Sequence, residues 1–394
     1  MRLSAQESTA FAFYRFPHDK QYIKVEGATQ ELFSCAQLND VSGFVVAPFE
    51  VKQEQPVIVI RPEQVTVLPC PTDTSLPAYS LPTASPVTSA YHIDFSSFHA
   101  QILQGAFRKI VLARCADETA ELGGTDPKEL FLRACLLYPR MFIALVHAPQ
   151  CGTWLTATPE ILLEGHGHDW RTIALAGTIR LEEDQLGGEG EAITWSTKNI
   201  VEQRIVATYI AECLEQFATD FREEGPRTVR AANLVHLRSD FTFTLPSNNC
   251  IGSLIQTLHP TPAVCGLPKR EAFQFIVNNE HTPRRYYSGF MGPLNMEGAT
   301  HLYVSLRCMN IEGACYHLYA GGGLLKDSTE EQEWQETEAK LETMRRCIAT
   351  SRMYIFLRHY SSVMASAMPS SVPAAVMHPL SITSTSVRIS NAIQ

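Results

Sequence analysis

The chain has 394 residues, of which 45% are hydrophobic and 19% are charged, with 32 Lys and Arg against 41 Asp and Glu. This composition can fill a large core and excludes a wholly disordered chain. The net charge of −9 does not provide the concentrated basic surface that phosphate neutralisation requires, so we expect no nucleic-acid partner.

The eleven cysteines are scattered along the chain, with no Cys-x-x-Cys pair and no His at ligand spacing. An odd, unpatterned count predicts a reducing compartment rather than a disulfide framework, and zinc is not expected. The first residues lack the apolar stretch of a signal peptide. No apolar run approaches the ~20 residues that a membrane-spanning helix needs. We therefore expect a cytoplasmic protein that has no membrane partner.

The hydrophobic pattern divides the chain into four parts. Residues 1–61 contain short strand-like runs separated by polar turns. Residues 62–92 are rich in Pro, Ser and Thr and predict an extended linker. Residues 93–349 are expected to form the main domain, and residues 350–394, which lack Asp, Glu and Lys, predict a disordered tail.

The main domain alternates between helical and strand periods. Its length is enough for one large α/β unit. The spacing predicts, in chain order, a helix through 95–107, a strand at 110–113, a hairpin of 141–146 with 152–157, a helix at 198–217, strands at 301–307 and 314–320, and a helix at 330–348.

Two ionisable residues stand at the entrances of apolar strands. Lys109 directly precedes the strand at 110–113, and Glu160 follows a proline at the start of the apolar run 161–163. A solvated edge charge or a turn carboxylate is the ordinary explanation for each of them. Catalysis is the alternative, which these positions alone do not decide.

Glu202 lies on an apolar helix face. It shares that face with Ile205, Val206 and Tyr209, at helical offsets of three, four and seven. A carboxylate on a buried face needs a cation, because an unpaired buried charge costs several kcal/mol. An Arg, a Lys or a metal ion would each satisfy it.

The last predicted helix carries Glu333, Glu336 and Lys340 on one face, at spacings of three and four. An ordinary Glu–Lys helix pair explains them equally well. The functional interpretation is a carboxylate pair directed at a divalent cation, since Mg²⁺ prefers such hard oxygen ligands.

Two apolar strands are predicted to end at glycines, at 175–178 and 319–323. Glycine allows the backbone to approach a ligand, and exposed N–H groups there can bind carboxylate oxygens, although tight turns explain them too. Neither segment is a nucleotide-binding loop. Arg307 closes the strand at 301–306, where an Arg commonly faces an anionic partner.

Taken together, these segments resemble the chorismate-utilising enzyme family over residues 93–348. The resemblance depends on their order as well as on their residues. The segments are 107–114, 158–160, 175–178, Lys198 to Glu202, 259–264, 285–289, Arg307, and the run from Ala320 through Gly323 to Glu333, Glu336 and Lys340.

The resemblance implies an α/β fold of the α+β type, in which large antiparallel sheets flanked by helices enclose a central cleft. It also implies a Mg²⁺ cofactor held by Glu202 and Glu336, with Glu333 acting directly or through water. The implied small-molecule substrate is chorismate. The positions that match its binding residues are Gly177, Thr178, Tyr287, Arg307, Gly321, Gly323 and Lys340, and His259, whose role stays open, is expected near the ring.

Within the family, two positions favour the branch that isomerises chorismate to isochorismate. Ala176 stands where aminodeoxychorismate synthases have a nucleophilic lysine, and Lys109 is a residue that anthranilate synthases generally lack. The resemblance implies that Lys109 deprotonates a water that attacks C2 of the ring. Glu160 is then the acid that protonates the departing C4 hydroxyl, which requires a raised pKa.

Two alternatives stay open. Salicylate synthases share the same lysine, glutamates and Ala-Gly-Thr segment, although residues 261–264 favour the isochorismate-forming branch. An inactive scaffold that only binds its ligand is the other alternative. Cys265, where the family usually has Gly, and Gln203, in place of a common His, depart from the family pattern. The sequence leaves the menaquinone or siderophore pathway open, and the lack of heptads or a long apolar edge predicts a monomer.

Overall fold

The computed structural model describes residues 10–72, 86–119, 124–180, 193–231 and 234–366. The chain divides into two compact units, residues 1–352 and 353–394. The sheets and cores described below belong to the first unit. The described part of the second unit, residues 353–366, is helical. No helix in the described ranges is long and apolar enough to cross a membrane.

The described residues form eighteen strands. The strands come from short apolar or alternating segments that polar turns separate. In chain order they are β1 (Ala10–Arg15), β2 (Gln21–Gly27), β3 (Thr29–Leu32), β4 (Gly43–Ala47), β5 (Val57–Ile60), β6 (Gln64–Pro69), β7 (Lys109–Thr119), β8 (Phe142–Ala148), β9 (Gly152–Thr158), β10 (Ile161–His166), β11 (Asp169–Arg180), β12 (Asp220–Ala231), β13 (Leu234–Thr244), β14 (Gly266–Leu267), β15 (Phe290–Leu294), β16 (Ala299–Val304), β17 (Cys308–Glu312) and β18 (Cys315–Leu324).

The strands assemble into two nine-stranded antiparallel sheets. Sheet A has the order β14-β7-β18-β17-β9-β8-β1-β2-β6, and sheet B has the order β12-β13-β11-β10-β16-β15-β4-β5-β3. The first six strands are shared between both sheets, so the N-terminal residues are integral to the fold. The fold class expected from the sequence, large antiparallel sheets flanked by helices, is confirmed.

Six helices cover the sheets in the described ranges, two of them on each outer face. They are α1 (Ser89–Leu103), α2 (Pro127–Leu137), α3 (Thr197–Leu214), α4 (Ile251–Leu258), α5 (Lys269–Asn279) and α6 (Glu330–Ser366). Apolar residues of α3 and α4 pack on sheet B, and those of α2 and α6 pack on sheet A. A third core lies between the two sheets, and a fourth joins α1 and α5 to β7.

The strand period explains how a sheet serves two cores at once. On β8, Phe142 and Ala144 face the opposite sheet, whereas Ile143 and Leu145 face the helices. Phe142 stacks on Tyr303 of sheet B with ring centroids 4.1 Å apart and an interplanar angle of 2°. Such contacts hold the two sheets face to face.

Several predicted elements agree closely with the structure. The strand-like runs expected in residues 1–61 include β5, and the predicted hairpin is the antiparallel pair of β8 and β9. The predicted linker is partly wrong, because β6 lies within it and pairs with β2. The helix that follows begins at Ser89 rather than after residue 92. Residues 73–85 of this linker lie outside the described ranges.

Several predicted strand and helix ends differ from the structure. Gly177 lies inside β11, which continues to Arg180, whereas the glycine run 321–323 ends one residue before the end of β18 at Leu324. The strand that Arg307 was expected to close ends at Val304, so Arg307 lies in the connection to β17. The last helix continues past Ile348 to Ser366, into the predicted tail, of which residues 367–394 lie outside the described ranges.

A buried ion pair ties β7 to the segments beside it. Arg284 donates to both carboxylate oxygens of Glu280, at 2.6 and 2.7 Å, and both side chains are at most 3% exposed. Arg284 also donates to the carbonyls of Val111 and Val264, and Glu280 accepts from the backbone N–H of Ala113. Removing either charge would leave the other buried without a partner.

We predict that Arg284→Met lowers the free energy of unfolding by about 3–5 kcal/mol, because Glu280 then stays buried without its cation. Equilibrium urea unfolding measures the difference. Arg222→Met is the matched control, since Arg222 pairs with Glu224 at the exposed surface and should cost under about 1 kcal/mol. Equal losses in the two variants would contradict the structural role of the buried pair.

Candidate active site

A cavity between the two sheets collects ten of the thirteen site residues expected from the sequence. Its narrow interior leaves about 60 Å³ of space for water-sized molecules. The ten residues are Glu160, Gly177, Thr178, Glu202, Tyr287, Arg307, Gly321, Gly323, Glu336 and Lys340. Lys109 and Glu333 lie just behind the lining and contact it, whereas His259 does not.

Lys109 and Glu202 form a buried ion pair beside the glycine run of β18. Lys109 begins β7, its side chain is wholly buried, and its Nζ lies 2.9 Å from Glu202 Oε1 on α3. A Cβ atom on Gly323 would overlap Glu202 Oε1 and lie 2.7 Å from Lys109 Cε. Glycine is therefore required at position 323 because two long side chains meet against the backbone there.

Two further Glu–Lys pairs complete this wall. Lys198 of α3 donates to Glu333 of α6, and Lys340 Nζ lies 2.7 Å from Glu336 Oε1. Lys340 also donates to the carbonyl of Gly321 at 2.8 Å. Each of the three glutamates thus faces an ammonium group, which offsets the cost of burying its charge.

The pKa values of Glu202 and Glu333 shift in opposite directions in this environment. Burial favours the neutral form of Glu202, but the charges of Lys109, Lys198 and Lys340 together hold its pKa below the ordinary value. Burial, and then the nearby Glu336, raises the pKa of Glu333 to about 7. The second oxygen of Glu333, Oε2, has no hydrogen-bond partner in the described residues although it is buried.

The three glutamates fit a divalent cation. Carboxylate oxygens are the ligands that Mg²⁺ prefers, and the unpartnered Glu333 Oε2 is a buried acceptor that a cation would satisfy. In the described part of the chain the three do not form a cluster with all ligand atoms within 4.8 Å of one another. The lysine partners of these carboxylates hold them in the pairs described above.

Glu160 lies at the start of β10, in the cavity wall, and is fully buried with no ion-pair partner among the described residues. Burial raises its pKa to about 7, although the positive charges of Lys109, Arg307 and Lys340 oppose the shift. Its carboxyl group is therefore substantially protonated near neutral pH. A buried, protonated carboxyl in a cavity is suited to act as a general acid.

Arg307 and its hydrogen-bond partner His236 also line the cavity. Arg307 adopts a left-handed backbone conformation, with φ of 43°, and its Nη2 lies 2.6 Å from Nε2 of His236. Its Nη1 is buried without a hydrogen-bond partner in the described residues. An unpartnered guanidinium N–H in a cavity is a suitable donor for an anion such as a carboxylate.

His236, on β13, is a site residue that the sequence did not reveal. Burial, followed by the charges of Arg307 and Lys340, holds its pKa well below the ordinary value, so the ring is neutral. Nε2 accepts from Arg307, so Nδ1 carries the proton and donates to the carbonyl of Gly177 at 3.0 Å. A β-bulge places Gly177, with φ of 72°, where this bond forms.

His259, which was expected near the substrate ring, lies outside the lining of this cavity. His259 is buried beside a separate opening next to Phe49 and Lys269. Its Nε2 lies 3.2 Å from the carbonyl of Pro48, and its ring packs edge-on against Phe290. Burial, and then the charge of Lys269, lowers its pKa to about 3, so His259 is a neutral core residue.

Small and aromatic residues complete the cavity. Ala176 and Ala263 present only methyl groups to it, and Val264 lies beside them. Tyr287 stacks against Tyr319 with ring centroids 5.6 Å apart, and both line the opposite side. No lysine side chain reaches the cavity from position 176, so no amine nucleophile is supplied there.

Comparison with known proteins places this site in a family. Residues 72–349 match the family model described as "Chorismate binding enzyme". The chain is 30% identical over 239 residues to isochorismate synthase EntC of Escherichia coli, covering 60% of this chain and 61% of that protein. It is 32% identical over 254 residues to the salicylate biosynthesis isochorismate synthase of Pseudomonas aeruginosa, covering 64% of this chain and 52% of that protein.

Solved structures agree with this result. The isochorismate synthase DhbC from Bacillus anthracis, described as 2,3-dihydroxybenzoate-specific, superposes with a TM-score of 0.73 at 25% identity, covering 88% of this chain and 98% of that one. The two curated sequences are matched over less than two thirds of their own lengths. The family match covers most of the chain and includes every residue of the cavity wall, and the chain therefore belongs to the chorismate-binding enzymes.

Proposed function

We propose that this protein is an isochorismate synthase, which converts chorismate to isochorismate with Mg²⁺ as its cofactor. The observation that carries the proposal is the placement of two buried proton-transfer groups: Glu160 lies in the wall of a cavity that has no side-chain amine at position 176, and Lys109 lies directly behind that wall, paired with Glu202. Relatives at about 30% identity that are named isochorismate synthases support it.

In the proposed reaction, Lys109 acts as the neutral amine, which requires that it first gives up a proton of its ion pair with Glu202. It then takes a proton from a water that attacks C2 of the ring. The ring double bonds shift, and Glu160 gives its proton to the hydroxyl that leaves C4. One water enters and one leaves, so the product is an isomer of the substrate. The pKa of about 7 for Glu160 keeps the acid form available at neutral pH.

Substrate binding would use two sets of residues at the cavity, one around Arg307 and the other the three glutamates. Arg307 Nη1, together with Tyr287, would bind the enolpyruvyl carboxylate. Glu202, Glu333 and Glu336 would hold Mg²⁺, whose positive charge would neutralise the ring carboxylate. The backbone around Gly177, Thr178, Gly321 and Gly323, with Lys340, lines the remaining contact surface.

The first test is incubation of the purified protein with chorismate, with and without Mg²⁺, in ¹⁸O-labelled water, followed by liquid chromatography and mass spectrometry. We expect isochorismate carrying one solvent oxygen, formed only with Mg²⁺, because the new hydroxyl comes from water. Salicylate and pyruvate would instead assign the protein to the salicylate-forming branch. No conversion by a folded sample would favour the inactive scaffold.

We predict that kcat/KM, measured at saturating Mg²⁺, falls as the pH rises through about 7, because Glu160 acts in its protonated form and loses its proton there. Glu160→Gln should lower kcat by ~10²–10⁴-fold and remove this alkaline limb, since an amide donates no proton in this range. Lys109→Gln should lower kcat similarly while chorismate still binds. Glu164→Gln is the matched control, because Glu164 lies four residues further along the chain, on β10, outside the cavity lining. An unchanged alkaline limb in Glu160→Gln would exclude Glu160 as the acid.

We predict that His236→Ala raises KM more than it lowers kcat, because His236 orients Arg307 and does not contribute to proton transfer. Loss of one hydrogen bond to a charged group costs about 1.5–3 kcal/mol, which corresponds to roughly a 10- to 150-fold loss of kcat/KM. His236→Gln retains an acceptor for Arg307 and should therefore recover part of the lost kcat/KM. The readout is steady-state kinetics of chorismate conversion. A loss confined to kcat would assign His236 a chemical role instead.

A further inference from the structure

A cluster of three potential metal ligands lies on β7 and β18, outside the lining of the cavity. Cys115 and Asp117 are two residues apart on β7, so they project from the same face of the sheet. His317 is the residue directly opposite Asp117 on β18. The backbone pairing of two neighbouring strands therefore holds all three side chains close together.

The ligand atoms of these residues already converge. His317 Nδ1 lies 2.7 Å from Asp117 Oδ1, and the thiol of Cys115 donates to the same oxygen at 3.6 Å. The sulfur, nitrogen and oxygen atoms all lie within 4.8 Å of one another. Asp117 is exposed and the other two are partly buried, so water can reach the group and complete a coordination shell.

A fourth residue outside the cluster is placed to orient the histidine. Glu312 Oε2 lies 3.7 Å from Nε2 of His317, just beyond hydrogen-bond distance, at the ring nitrogen that does not face Asp117. Glu312 is itself held by Arg285, whose Nη1 lies 3.1 Å from Glu312 Oε1. A carboxylate at the far nitrogen of a metal-binding histidine fixes its tautomer and leaves the near nitrogen free to coordinate.

The geometry points to a second metal site, in which Cys115, Asp117 and His317 bind Zn²⁺. A thiolate, an imidazole and a carboxylate are the donor set of zinc, whereas Mg²⁺ takes oxygen ligands. Three protein ligands leave one tetrahedral position for water. This site is independent of the glutamates in the cavity.

Zinc binding changes the protonation state of the cluster. Burial, followed by the charge of Asp117, raises the pKa of the Cys115 thiol to about 12, so the thiol keeps its proton in the absence of metal. Coordination replaces that proton with the S–Zn bond and releases the proton to solvent. The thiolate and Asp117 then neutralise the two charges of the ion.

The full-length protein, held at saturating Mg²⁺, is titrated with Zn²⁺ by calorimetry and with Co²⁺ by absorption spectroscopy. We expect one site per chain and a near-ultraviolet thiolate-to-cobalt band that added Zn²⁺ removes. Cys115→Ser should abolish the band, and Asp117→Asn should weaken zinc binding. Glu312→Gln should weaken it about 10- to 100-fold, because the histidine loses its orienting partner.

Cys315→Ser is the matched control, because Cys315 is an exposed cysteine on the same strand two residues from His317. It should leave both titrations unchanged. Asp117→Asn alters an exposed side chain, so it tests the site even if Cys115→Ser does not fold. The proposal is overturned if the wild-type protein shows no cobalt–thiolate band, or if the band survives Cys115→Ser, or disappears with Cys315→Ser.

Discussion

Ionised side chains are costly to bury, and the candidate site depends on how this cost is offset. Three glutamates and three lysines from β7, α3 and α6 meet beside the glycines of β18 and form three ion pairs. Lys109 pairs with Glu202 and Lys198 pairs with Glu333 across different elements, whereas Lys340 pairs with Glu336 one helical turn away on α6. The relative placement of β7, α3 and α6 is therefore a requirement of charge neutralisation as well as of apolar packing.

The sequence could predict much of the fold because the responsible signals are local. A short apolar run between turn residues predicts a strand such as β5 or those of the β8–β9 hairpin, and a resemblance based on ordered motifs predicts the sheet architecture. The physical reason for the glycine run is not local. Gly323 lies next to the last residue of β18, close to the predicted strand end, yet glycine is required there because Lys109 and Glu202 approach it from distant elements.

Because local patterns do not show contacts between distant elements, the sequence also misses some functional residues. His236 is a single histidine in the apolar run of β13, which by itself is typical of a core residue, and only the fold brings it to Arg307. His259 is the opposite case, since its motif suggested a site residue and the structure places it in a core. Cys115 and His317 are about two hundred residues apart, so no ligand spacing indicates metal binding until β7 and β18 pair.

The distribution of charge in the cavity favours one orientation for a substrate with two carboxylates, as chorismate has. The lining contains Glu202 and Glu336, which repel a carboxylate unless a cation lies between them, and Arg307, which has an unpartnered N–H that suits a carboxylate. His236 keeps Arg307 in place without adding charge, because its ring is neutral. Glu160, whose pKa of about 7 keeps much of it protonated near neutral pH, lies in the wall, and in its protonated form the group that would donate the proton does not repel the dianion.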